Sequence, residues 1–425
     1  MKKSLKTKGF WAVFLSVASL VLACGVAIGA APSDAKFELR DGDRVALIGD
    51  TLFEREQTHS YLETLLTSRF PGKNITFRNL AWSGDTVFGH ARAAFDTPEQ
   101  GFERLIKVVH DARPTVLFVG YGMAESFDGE AGLADFEKGY NRLLDRLADL
   151  KARTVIFSPN RHEDLGAPFP SPDRHNADIL RYTAVLKRVA TERKATFVDL
   201  YSALGDGTKN APAYPYTDNG IHPTAYGYWQ LAQAVERAFG YPPRGWSIDV
   251  DATAPSPKAT GNGVEVSGAA WNGNGKSLAV RVAKDVLPVP PPPPIDARYI
   301  PTRRETQRLL TVRNLPPGHW TVRVGDELLA AASSDEWAKG VALVNDALSR
   351  QAEKLRQVAV LKNMLFFNQW RPANETYLFG FRRNEQGQNA REMPMFDPPI
   401  AEKEAEIAKL RTAAPYEFRF EREDQ

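Results

Sequence analysis

The feature that most constrains this chain is a repeated alternation of short apolar runs and amphipathic stretches between Asp41 and Tyr241. The runs Val45 to Ile48, Ile75 to Leu80, Val116 to Val119, Val155 to Ser158 and Thr196 to Leu200 are rich in β-branched residues and read as buried strands. Between and after them lie helical patterns at Tyr61 to Arg69, Gly101 to Asp111, Phe136 to Leu150, Ala177 to Arg193 and Ala225 to Phe239. Alternation of this kind implies an α/β fold, a parallel sheet with helices on both faces. Loops that follow the strands then share one edge, where open α/β sheets bind their ligands.

The first such loop lies in the stretch Arg44 to Glu54, RVALIGDTLFE. A strand that ends on Gly49-Asp50-Thr51 and turns straight into a helix sets the Thr51 hydroxyl at the ligand edge. Threonine and aspartate are also good helix N-caps, so Asp50 or Thr51 could simply satisfy free amides of that helix. Both readings stay open on these residues alone.

Three further blocks follow later strands: Asn79-Leu80-Ala81-Trp82-Ser83-Gly84-Asp85-Thr86, then Gly122-Met123-Ala124-Glu125, then Asp218-Asn219-Gly220-Ile221-His222-Pro223. In order and spacing the four blocks resemble the SGNH, or GDSL-like, hydrolase superfamily of esterases, lipases, acyl thioesterases and carbohydrate deacetylases. The resemblance spans residues 41–241 and implies a flavodoxin-like sheet. It implies Thr51 as nucleophile, Gly84 and the Thr51 amide as oxyanion donors, and His222 as base. Three positions depart from the family pattern: Thr51 replaces Ser, Ala124 replaces the oxyanion Asn, and Asn219 stands where the orienting Asp is expected.

Each departure has a physical cost. Thr51 keeps the hydroxyl but adds a methyl group and stiffens the side chain. Losing an oxyanion side-chain donor costs about 10²- to 10³-fold in rate. Converting the orienting Asp to Asn costs about 10⁴-fold in the serine-protease template, although such losses do not simply multiply. Activity therefore needs another acid, and Asp218, or failing that Glu125, is the expected orienter of His222. Asp50 is expected beside the substrate, as are Glu125 and the loop residues Arg161, His162 and Glu163. A solvated loop whose ionic groups pair with one another is the alternative for that last segment. His162, Glu163 and His175 do not match a spaced metal box, so neither metal nor cofactor is expected.

Outside this region the chain changes character. Lys2, Lys3, Lys6 and Lys8 precede an apolar run from Phe10 to Ala31, so residues 1–31 read as a signal peptide or N-terminal anchor. Cys24 sits in a loose lipobox, and as the lone cysteine it has no partner for an internal disulfide. Secretion, lipid anchoring and an uncleaved anchor stay open, and the expected location is periplasmic or extracellular. A formal net charge of +2 across 425 residues offers no electrostatic case for nucleic acid.

Residues 246–331 alternate in the manner of a small antiparallel β domain interrupted by the proline run Pro288 to Pro294. Residues 341–425 read as a helical C-terminal extension, with a polar aromatic segment from Asn368 to Arg383 that is either mortar between domains or a lid. The tail resembles that of GDSL-like proteins from planctomycete-type bacteria. Two functional readings result. One is a divergent esterase that acts on a small-molecule or acylated-carbohydrate ester; the other is a catalytically inactive protein that keeps the pocket and binds a polar ligand.

Overall fold

The computed structural model describes residues 37–204, 214–273, 275–295, 307–343, 347–378, 380–385 and 389–423. The expected leader and Cys24 lie outside the described residues, as does Phe379 of the aromatic segment. Strands β1 (Arg44–Gly49), β2 (Thr76–Asn79), β3 (Val116–Gly120), β4 (Arg153–Phe157) and β5 (Thr196–Val198) form one sheet in the order β2-β1-β3-β4-β5. Every pairing in it is parallel, and the order is flavodoxin-like. All five residues of β3 are buried, the consequence of a central strand covered on both faces.

Seven helices supply that cover: α1 (Thr51–His59), α2 (Tyr61–Arg69), α3 (Pro98–Ala112), α4 (Leu133–Arg146), α5 (Asp173–Glu192), α6 (Leu200–Ala203) and α7 (Ala225–Ala238). Phe53, Leu62, Leu65, Tyr228 and Val235 from α1, α2 and α7 fill the core on one face. Phe102, Leu105, Phe136, Tyr140 and Leu186 from α3, α4 and α5 fill the other. At the carboxyl edge β1 and β3 end side by side with Gly49 opposite Gly120. A Cβ on Gly49 would come within 2.3 Å of the Gly120 carbonyl oxygen, so only glycine lets the chain turn here into α1.

The β module consists of two sheets. Strands β6 (Trp246–Asp251), β7 (Lys258–Asn262), β8 (Glu265–Asn272), β9 (Ser277–Lys284), β10 (Arg308–Arg313), β11 (His319–Val324) and β12 (Glu327–Ser333) come from the expected region. Helix α8 (Ser334–Lys339), capped by Ser333 and Glu336, leads to β13 (Val341–Leu343), and the last strand is β14 (Tyr416–Arg422). One sheet runs β13-β10-β6-β7 and the other β12-β11-β14-β9-β8. The module is therefore wider than 246–331 and not wholly antiparallel, because β6 and β10 pair in parallel. Residues 341–425 are likewise more than a helical extension. β14 alternates Phe418 and Phe420 inward with charged residues outward, and it fills the gap between β9 and β11.

The chain between β13 and β14 crosses to the leading domain as α9 (Ala347–Trp370), α10 (Glu375–Leu378) and α11 (Asp397–Leu410). Among the described residues no helix is long and apolar enough to cross a membrane. Helix α9 lies against α1 and α2 through a set of buried polar groups. Lys362 is buried and donates to Glu63 at 2.7 Å and to the Phe77 carbonyl at 3.1 Å, while the Asn363 amide donates to Ser60 and Glu63. Beyond it, the Trp370 ring meets Trp82 edge-on and Arg371 pairs with Glu54, so this part of the aromatic segment ties domain to domain.

Removing one member of a buried ion pair strands the other charge, at a typical cost of about 3–5 kcal/mol. Lys362→Ala should lower the urea midpoint accordingly. The double variant Lys362→Met with Glu63→Leu, which strands no charge, should recover most of the loss. Equal midpoints for the single and double variants would contradict this account.

Candidate active site

The turn into α1 assigns separate tasks to Asp50 and Thr51. Asp50 is the N-cap: its side chain accepts the Leu52 amide at 3.0 Å. Burial pushes the Asp50 carboxyl up to about 7, against the Leu52 hydrogen bond and with help from nearby Asp85. Capping therefore does not consume Thr51. Its hydroxyl instead accepts a hydrogen bond from the Gly84 amide at 3.2 Å.

The loop that carries Gly84 is held from three sides. The Asn79 amide donates to the Phe53 carbonyl, Trp82 N–H donates to the Gly49 carbonyl, and Ser83 N–H donates to Glu54. Gly84 itself adopts φ +72°, a left-handed conformation that favours glycine. Next to it, Asp85 is buried in an ion pair with Arg92 at 2.6 Å and accepts from the Tyr121 hydroxyl at 3.2 Å. Asp85 thus fixes the loop and adds no acid to the pocket.

Thr51, Gly84 and His222 line one cavity of about 270 Å³, together with Asp50 and Asn160. Its apolar wall includes Leu52, Tyr121, Met123, Phe127, Pro159 and Ile221. Ala124 also lines it and offers no side-chain donor where the family pattern has an asparagine. The Asn160 amide donates to the Ile221 carbonyl at 3.1 Å and so fastens the β4 loop to the His222 loop. Asn160 was given no individual role from sequence, although its position just beyond a strand run was a usable signal.

His222 departs most from an esterase template. Its Nδ1 faces the Asn219 side-chain nitrogen at 3.0 Å. The Asn219 oxygen is already engaged, since it accepts from Ile221 N–H at 3.2 Å and His222 N–H at 2.9 Å. The amide must therefore present its NH₂ to the ring. An imidazole nitrogen that accepts a hydrogen bond carries no proton, so neutral His222 holds its proton on Nε2. Burial, reinforced by the Arg55 guanidinium and opposed by Asp218, lowers the His222 pKa and favours that neutral form.

The expected replacement carboxylates do not orient the ring. The Asp218 carboxylate pairs with Arg55 at 2.9 Å and acts on the ring only as a nearby charge; the hydrogen bond between the two residues is through the backbone, where Asp218 N–H donates to the His222 carbonyl. Glu125 is buried away from the cavity lining, where it accepts the Val87 and Gly122 amides at 2.9 Å each. One residue of offset turned Asp218 toward the cation on α1, and burial enlisted Glu125 to join two loops. Arg55 itself, four residues beyond Thr51 and so on the same helix face, was legible from spacing but not picked out.

Beyond Pro159 and Asn160, the loop after β4 serves as support rather than as cavity wall. Arg161 lies over the Tyr201 ring and donates to its hydroxyl at 3.3 Å. His162 shares a hydrogen bond of 2.9 Å with His175, which in turn meets Ser126 at 2.8 Å. Glu163 accepts from the Tyr216 and Thr217 amides and from the Thr217 hydroxyl, which pins the segment leading to His222. None of the three lines the cavity, and their partners lie on other segments, so the structure places them neither as cavity wall nor as a solvated loop paired within itself. Among the described residues no three His, Cys, Asp or Glu side chains are grouped to hold a metal.

A five-stranded 2-1-3-4-5 sheet that brings Thr51, Gly84 and His222 to one cavity at its carboxyl edge defines an SGNH-hydrolase-type domain. Residues 45–230 match the model of the GDSL-like Lipase/Acylhydrolase family, so this part of the chain is similar to the SGNH/GDSL superfamily. No curated protein matches the chain. Among solved structures, BT4096, described as a gut microbial diltiazem-metabolizing enzyme, is similar over 92% of this chain and 100% of its own, with TM-score 0.70 and 15% identity. Axe2, an acetylxylan esterase from Geobacillus stearothermophilus, is 19% identical and is matched over 48% of this chain and 97% of its own, with TM-score 0.39.

Glu125 generates a pH prediction. Burial outweighs its two amide hydrogen bonds and pushes its carboxyl from 4.5 up to about 8. Below the unfolded value both states hold the proton. Between about 4.5 and 8 only the folded state does, so this group's contribution to stability falls as pH rises and then levels off. Glu125→Gln should show a shallower loss of urea midpoint from pH 5 to 8 than the parent, from a lower starting value because one amide loses its acceptor. Parallel profiles would contradict the assignment.

Proposed function

We propose that the cavity is an ester-hydrolysing site of low intrinsic rate, in which Thr51 attacks a small acyl group and His222 handles the proton. The observation that carries this reading is the Thr51 hydroxyl itself, which is free of capping duty and lies 3.2 Å from the Gly84 amide on the wall of the cavity. When the hydroxyl attacks a carbonyl, the Gly84 and Thr51 amides are the donors available for the oxyanion. An apolar cavity of about 270 Å³ suits a short acyl chain, and the alcohol portion would extend outside it. An acylated carbohydrate or another small ester meets that description. The reading includes export of the protein, on the strength of its N-terminal pattern.

The rate is low because His222 presents the wrong nitrogen. To accept the Thr51 proton, Nε2 must be bare, whereas the Asn219 amide favours the tautomer with Nε2 protonated. That same observation favours a second reading, in which the protein binds an acyl compound and does not turn it over.

Kinetics on short-chain nitrophenyl esters and acetylated sugars separate the two. Under the esterase reading Thr51→Ala and His222→Ala fall to background, Thr51→Ser keeps or raises activity, and Asn219→Asp raises kcat by on the order of 10²- to 10⁴-fold. Hydrolysis unchanged in Thr51→Ala would overturn the mechanism. Background rates in both the parent and Asn219→Asp would favour binding alone.

A further inference from the structure

We propose that Asn219 is a deamidation site, and that loss of its side-chain nitrogen converts the pocket into a competent esterase. The chemistry at Asn219 stands on local geometry, whereas its activating effect rests on the esterase reading above. Asn219 is exposed to water and is followed by Gly220. Gly220 has no side chain of its own to crowd the nitrogen that must attack the Asn219 amide carbon.

Each atom whose charge or bonding changes has a partner in place. The Asn219 side-chain oxygen accepts from two backbone donors, the N–H groups of Ile221 and His222. Such a pair stabilises the negative charge that develops when the amide carbon becomes tetrahedral. The leaving nitrogen donates to the bare Nδ1 of His222 at 3.0 Å, and because Asn219 is exposed, water supplies the proton with which it departs. The Gly220 N–H donates to the Thr217 hydroxyl at 3.1 Å, and that hydroxyl donates to Glu163 at 2.6 Å. A route therefore runs from the nitrogen that must lose a proton to a carboxylate that can take it.

In the first step the Gly220 nitrogen bonds to Cγ of Asn219 and its proton passes through Thr217 to Glu163. The bond from Cγ to Nδ2 breaks, a water molecule at this exposed side chain supplies the proton that the leaving nitrogen needs, and ammonia leaves a five-membered imide. Water then adds to Cγ, the bond to the Gly220 nitrogen breaks, and that nitrogen regains a proton. The net change is one side-chain amide and one water converted to one carboxylate and one ammonium ion. A carboxylate at position 219 accepts a hydrogen bond where the amide donated one, so the proton moves to Nδ1 and Nε2 becomes free to act as base.

The test follows the full-length protein, purified rapidly in the cold and then incubated. Peptide mass spectrometry at position 219 is run in parallel with ester turnover. The expected result is progressive replacement of NH₂ by OH at this residue with one ammonia released, and kcat rising in step with the aspartate fraction at constant KM. Asn219→Asp should start at the final activity and gain nothing, and Asn219→Gln, whatever its starting rate, should show no rise with time. An unchanged residue 219, over a period in which a free peptide of the same sequence converts, would overturn the inference, and the esterase reading would survive if Asn219→Asp is active. Conversion only to isoaspartate, with no gain in turnover, would overturn the activating role. Conversion to aspartate with both converted protein and Asn219→Asp inactive would place the failure in the esterase reading instead.

Discussion

An imidazole has one proton to place when neutral, and the group hydrogen-bonded to one nitrogen decides which nitrogen holds it. At His222 that group is the Asn219 amide, whose own oxygen is committed to two backbone N–H groups and cannot turn toward the ring. The remaining features of the pocket depend on this contact. In the proposed esterase reading, a Thr51 hydroxyl beside the Gly84 amide supplies half of an acyl-transfer site, and the other half is a ring nitrogen that accepts its proton. With the proton on Nε2 the ring donates toward the cavity.

The scaffold around this contact is stiffened by buried charge. Asp85 with Arg92 and Tyr121 holds the oxyanion loop from within, while Arg371 pairs with Glu54 and lies 3.5 Å from the Trp82 ring centroid. Glu54 in turn accepts the Ser83 amide, so the end of the C-terminal helix reaches the residue next to Gly84. Because β14 at the chain's end completes a sheet with strands from the middle of the chain, the helices between β13 and β14 are tethered at both ends. Tethering of this kind limits how far the tail can move away from the oxyanion loop.

Most of the leading domain was legible because periodicity and block order are local properties of a chain. The five apolar runs became the five strands, and Tyr61–Arg69 formed a helix with the expected bounds. Strand alternation brings the loops of Thr51, Gly84 and His222 to one edge, the family resemblance singles out those residues, and the three line one cavity. What was not legible depended on competition between distant partners. Asp218 stands one residue from the family position, yet Arg55 takes its carboxylate; Glu125 adjoins the pocket in sequence, yet two backbone amides take it inward. The aromatic pattern of Tyr416–Arg422 was equally visible as a string, but nothing local says that it joins a sheet begun far earlier in the chain.

The central claim concerns the position of one proton, and nitrogen NMR of ¹⁵N-histidine-labelled protein reads it directly. The account predicts that freshly prepared protein near neutral pH shows His222 with protonated Nε2 and bare Nδ1, assigned by its loss in His222→Ala. A His222 signal with the proton on Nδ1 would mean that the amide does not control the ring, and would contradict the account.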